Sequence, residues 1–67
     1  MDKIVGKNEV SHALAEPWTG TWRHGRYVKR GKTWCGRTVE GRTGACQPVL
    51  IDCGSCRRSM RARGYRV

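Results

Sequence analysis

Cys53-Gly54-Ser55-Cys56 is the feature that most restricts what this chain can become. Two thiolates separated by two residues can meet at one metal ion, because the turn between them directs both sulfurs inward while backbone N–H groups support them. A helix opened by Cys56 adds the partial positive charge of its N-terminus and favours the thiolate form. Cys35-Gly36 is a second half-site. A glycine directly after a ligand cysteine lets the backbone fold tightly around the ion. Structural zinc takes four N or S ligands in a tetrahedron. Cys35, Cys53 and Cys56 make three, and spacing leaves the fourth open among Cys46, His12 and His24. Cys46 lies between Gly44-Ala45 and Gln47-Pro48, in a loop, whereas His12 falls on a predicted strand. The competing uses of the cysteines are two disulfides in a secreted chain, or a redox pair at Cys53 and Cys56. The redox pair normally sits in a larger βαβ fold, which a chain of 67 residues is too short to build.

The need for a staple follows from the side chains available. A domain of this length buries only about 60% of the surface its unfolded chain exposes. Six Val, two Leu, two Ile and no Phe leave little to bury. Three Trp and two Tyr must supply the rest, and Trp18 and Trp34 are assigned to the core. So thin a core calls for a metal or disulfides. It also argues against an enzyme with a deep pocket, and no small-molecule substrate is expected.

Charge points outward. The chain carries 14 Lys and Arg against five Asp and Glu, a net charge of +9. The excess begins after Gly20: residues 1–20 are slightly acidic, whereas residues 21–34 and 35–67 are each strongly basic. The plain alternative is a solubilising surface; a field of one sign otherwise favours a polyanion or an acidic protein. Arg23, Arg26, Lys29, Arg30 and Lys32 alternate with Trp22 and Tyr27, a mixture suited to phosphates and stacked bases. Arg57, Arg58 and Arg61 fall on one ridge of a predicted helix, with Cys56 and Met60 turned away toward the metal. These eight basic residues are the candidate nucleic-acid contacts.

Along the chain, residues 1–7 read as a weakly ordered terminus and residues 8–67 as one zinc-binding domain. Residues 10–15 alternate as a short strand does. Residues 21–31 fit either a strand pair or an ordered loop, and residues 40–44 a turn-rich loop. Val49-Leu50-Ile51 reads as the best strand. The segment from Arg57 to Arg63 reads as helix, with Gly64 at its C-cap and Asp52 either capping it or bonding around the cysteine turn. The expected fold is therefore small α+β: two or three short antiparallel strands and one C-terminal helix, treble-clef-like or zinc-ribbon-like.

Three pieces read together, Val10-Ser11-His12-Ala13-Leu14, Thr33-Trp34-Cys35-Gly36-Arg37-Thr38 and Leu50-Ile51-Asp52-Cys53-Gly54-Ser55-Cys56-Arg57-Arg58, resemble the small zinc-finger-like proteins common in actinobacteria and their bacteriophages. That group shares an early His-x-Leu, a middle Cys-Gly and a late apolar pair before Cys-x-x-Cys. The resemblance covers most of the chain. It implies one structural zinc held by His12, Cys35, Cys53 and Cys56, with Cys46 left free. The Trp-bearing basic stretch between Leu14 and Cys35 departs from the pattern.

Enzymatic motifs are absent. Gly31-Lys32-Thr33 imitates the end of a phosphate loop, but Arg26 stands where the required glycine would be. The five carboxylates are scattered, and no His-x-Glu accompanies the cysteine pair as a zinc deaminase needs. With no secretory signal or membrane span in the sequence, the expected location is cytoplasmic, the host cytoplasm if the chain is phage-encoded. The expected function is a non-enzymatic, zinc-stabilised module binding nucleic acid with little sequence preference. The alternative is a phage-type protein that modulates an acidic surface of a host protein.

Overall fold

Ile4 is the one aliphatic side chain within residues 1–4, and it is fully buried. The computed structural model describes all 67 residues. Six strands form: β1 (Asp2–Val5), β2 (Ser11–Ala13), β3 (Thr19–Arg23), β4 (Arg26–Lys32), β5 (Thr38–Glu40) and β6 (Arg42–Ala45). A 3-10 turn (Pro48–Leu50) and one helix, α1 (Gly54–Ala62), follow. The small α+β class is therefore the one expected, with six strands instead of two or three and the single helix at the C-terminal end.

The strands make two antiparallel three-stranded sheets, ordered β2-β1-β6 and β3-β4-β5. Residues 2–5, expected to be weakly ordered, are the middle strand of the first sheet, with Ile4 opposite His12 on one side and Thr43 on the other. The expected loop at residues 40–44 supplies the last residue of β5 and most of β6. Both corrections have one cause. Each segment is too polar or glycine-rich to announce a strand, and pairing with a distant partner overrides its weak local propensity. Gly41, between β5 and β6, permits a backbone crossing there, since a Cβ would lie 1.8 Å from the Val5 carbonyl oxygen.

Of the two readings of residues 21–31, the strand pair is the one that forms. β3 and β4 meet through His24 and Gly25, whose φ of 52° and 77° are the paired positive values of a type I′ hairpin turn. The sheets are joined where β2 ends and β4 ends. Leu14 bridges Thr33, the Ala15 N–H donates to the Lys32 carbonyl at 2.9 Å, and the Trp34 N–H donates to the Ala13 carbonyl at 2.9 Å. This splice brings the chain after β4 back beside His12.

Val49 and Leu50 do not form a strand. Pro48 presets a helical φ at the start of the 3-10 turn and donates no N–H, and only Ile51 turns inward, leaving Val49 and Leu50 53% and 63% exposed. Helix α1 begins at Gly54, before Cys56. Cys53 is the N-cap, its sulfur accepting the Cys56 N–H at 3.4 Å as a Ser or Thr oxygen commonly does. Gly64, with φ of 94°, follows the helix end. Cys56 and Met60, four apart, form the helix's buried edge against Ala13 and Ile51. Trp34, Cys35, Cys46, Cys53 and Val67 pack on this cluster. Only nine of 67 residues are buried, and Cys56 is among them. Trp34 thus packs as core, edge-on to Tyr65, whereas Trp18 is half-buried beside Gly31, outside that cluster.

Candidate metal centre and basic surface

Strand β2, the turn after β4 and the start of α1 converge on one point. His12, Cys35, Cys53 and Cys56 place one donor atom each within 4.8 Å of all the others. His12 Nδ1 lies 3.7 Å from Cys35 Sγ and 3.8 Å from Cys56 Sγ. Zn–S bonds near 2.3 Å and Zn–N bonds near 2.0–2.1 Å give tetrahedral ligand–ligand edges of roughly 3.6–3.8 Å, and the two His12–sulfur separations match such an edge. The cluster can hold one metal ion. Of the three candidates for the fourth donor, the fold brings in His12. Cys46 Sγ is turned to the Gln47 carbonyl at 3.1 Å, and His24 sits in the hairpin turn.

The surroundings fix the donors from outside. The Cys53 N–H donates to the Ser11 carbonyl at 3.0 Å. Asp52 accepts from the Ser11 hydroxyl at 3.0 Å, and the Asp52 N–H donates back to that oxygen at 2.9 Å. Asp52 therefore works beside the cysteine turn and does not cap the helix. Residues 11 and 52 each precede a donor in sequence, so this pairing locks His12 and Cys53 in register. Gly36, with φ of 87°, turns the chain after Cys35. The buried Thr33 hydroxyl lies 2.9 Å from Cys35 Sγ and 2.9 Å from the Arg37 carbonyl, and its single proton serves one of them at a time.

The thiols are unequal. Burial disfavours the Cys35 thiolate, but hydrogen bonding from Thr33, the Arg37 backbone and His12 outweighs it and brings the group down to about 6. Burial, reinforced by the neighbouring Cys35 and Cys53 thiols, pushes Cys56 up to about 12. One thiolate is thus at hand near neutral pH, and a metal must displace the proton of Cys56.

The basic residues divide. Cross-strand pairing of Trp22 with Tyr27, and of Arg23 with Arg26, gives the β3–β4 ribbon two faces. Arg23, Arg26, Arg30 and Lys32 belong to one. Lys29 belongs to the other, where its ammonium lies 4.8 Å from the centre of the Trp18 ring and donates to Thr43 at 3.3 Å. Arg23 is paired with Glu40 at 3.2 Å. On the helix, Arg57 donates to the carbonyls of Val49 and Ile51 at 2.8 and 3.1 Å, and Arg61 donates to the main-chain oxygen of Val67 at 3.0 Å. Two of the three ridge arginines therefore hold backbone, and Arg58 alone of them makes no such bond.

Sequence reasoning missed Lys7 and Arg42. Both line an open cleft of about 860 Å³ together with Arg23, Arg26, Tyr27 and Lys29. Arg42 enters it through its pairing with Val5, a contact no local motif signals.

No protein-family model, curated protein or solved structure matches this chain. No helix is long and apolar enough to cross a membrane.

Proposed function

We propose that this chain is a zinc-stabilised basic module that binds nucleic acid through its Arg/Lys-rich surface. The single observation that carries the metal half is the convergence of three sulfurs and one imidazole nitrogen within 4.8 Å. Soft thiolates with an imidazole in a tetrahedral set suit zinc better than the oxygen-seeking divalent ions. Four protein donors complete that set and leave no position for substrate, so the ion's role is structural and the chain is no metallohydrolase. Reduced thiols in such a cluster fit a cytoplasmic setting, where metal competes well against disulfide formation.

The binding half rests on the +9 charge and on where it lies. Exposed Arg26, Arg30 and Lys32 share one face of the hairpin, and neither Lys7 nor Arg26 has a carboxylate within ion-pair distance. Such a surface binds mainly by releasing counterions from phosphates. Each phosphate neutralised contributes about 0.9 to the slope of log affinity against log salt on a duplex, and about 0.7 on a single strand. The test is binding of the zinc-loaded chain to duplex and single-stranded DNA across a salt series. A face engaging about four to six phosphates should lose affinity steeply above physiological salt. Absence of binding to either form at low salt, with zinc in place, overturns this reading and leaves an acidic host protein as the partner to pursue.

A further inference from the structure

Trp22 and Tyr27 stand on the hairpin 72% and 49% exposed, in a chain with few large side chains to bury. Their rings pair across the strands, with centroids 5.3 Å apart and planes tilted by 57°. The arrangement is built. Gly20 has no side chain, and a Cβ there would lie 2.0 Å from the Tyr27 hydroxyl oxygen, so Tyr27 lies down on the β3 backbone where any other residue would lift it off. Farther along the same face, Lys29 covers the Trp18 ring. The result is a row of aromatic rings closed by a cation.

Tyr27 also borders the basic cleft. The cleft lining holds five Lys and Arg, Lys7, Arg23, Arg26, Lys29 and Arg42, against Glu9 and Glu40. The two carboxylates are already paired, Glu40 with Arg23 and Glu9 with Arg42. An excess of three positive charges therefore adjoins an exposed aromatic pair.

We propose that the β3–β4 hairpin is a platform for single-stranded nucleic acid, with bases stacked on Trp22 and Tyr27 and the neighbouring phosphates in the cleft beside Lys7, Arg26 and Lys29. This deepens the nucleic-acid reading and rests on it. A duplex turns its base faces inward and offers nothing for an exposed ring to stack on. A single strand offers a π-face at every base, together with a phosphate for the adjacent cations. A protein partner could also use Trp and Tyr, but the surplus charge around them matches a phosphate backbone more directly.

The test uses the full zinc-loaded chain and a labelled mixed-sequence DNA of about 12 nucleotides, alone and annealed to its complement, at one low salt concentration. The unmodified protein should prefer the single strand. Trp22→Ala should weaken single-strand binding roughly 5- to 150-fold, the range of one aromatic–base stack, and leave duplex affinity within about twofold. Trp22→Phe should restore most of the loss. Arg26→Ala should lower the single-strand salt slope by about 0.7. Trp22 is exposed and remote from the His/Cys cluster, so bound zinc should be unchanged in each variant. Equal losses on both probes, or no loss on either, overturn the platform while the nucleic-acid reading stands. Failure of both probes to bind the unmodified protein overturns both.

Discussion

The two ends of this molecule are ordered by different means. Around His12, the splice of β2 to β4, the 3-10 turn and α1 converge on four donor atoms, and the buried apolar residues nearest them are Ala13, Ile51 and Met60. The hairpin has no comparable core. Every residue of β3 is exposed, and β4 buries only Gly31. Ladder hydrogen bonds, a tight turn and a pair of surface rings hold it. The molecule is accordingly elongated, 40 × 19 × 18 Å. Where side chains are committed to a cluster they cannot meet a partner, and where they are free to meet one they contribute little to stability. On the function proposed above, stability and recognition are separated along the chain.

Removing one of the four donors should have the largest effect. Structural zinc contributes on the order of 10–16 kcal/mol in finger peptides near neutral pH, more than this core can replace. Cys56→Ser should abolish metal binding and unfold the chain, read as loss of the helical circular dichroism signal. His12→Ala should weaken metal binding while Cys46→Ser leaves metal content unchanged, as measured by competition with a chelating dye. The reverse order would place Cys46 in the donor set.

Two glycines sharpen the contrast at smaller scale. A Cβ at Gly31 would lie 2.5 Å from the Leu14 side chain, where the strands join the cluster end. Gly31→Ala should cost about 1–3 kcal/mol of stability by overpacking a buried contact. Proton competition is of similar size. With Cys56 near 12, a metal ion must displace its proton at neutral pH, so metal affinity should rise about tenfold per pH unit for that proton alone. Below about pH 6, Cys35 also binds a proton, and the dependence should steepen. Calorimetry in buffers of different ionisation enthalpy measures the protons released. Gly20→Ala should have the smallest effect. It dislodges an exposed Tyr27 ring, so thermal stability should fall by no more than about 1 kcal/mol with metal affinity unchanged.

The donors were legible in the sequence for a physical reason: metal ligation demands particular atoms, and few side chains provide them. Cys53, Cys56 and Cys35-Gly36 were readable from local spacing alone. His12 is not singled out by spacing; it takes either the resemblance to small zinc-finger-like proteins or the fold to pick it. The helix was readable from its composition and Gly64, although its start was set by Cys53 acting as the cap. The first sheet was not legible. β1 and β6 carry Asp2, Lys3, Arg42 and Gly44, residues that favour no strand alone, and only their mutual register buries Ile4. Residues 49–51 form no strand, because apolar content does not make one where Pro48 withholds a donor and starts a 3-10 turn. The three ridge arginines fall on the helix, and Arg57 and Arg61 also bond to main-chain oxygens that only the folded backbone presents.

On the proposed reading, one zinc ion, held by His12, Cys35, Cys53 and Cys56, orders this chain. Native mass spectrometry of the purified protein, paired with circular dichroism before and after chelation, tests it most directly. The purified protein should carry one zinc per chain, lose it on chelation, and lose its helix signal with it. A chain that carries no metal and keeps its fold in the presence of chelator would contradict it.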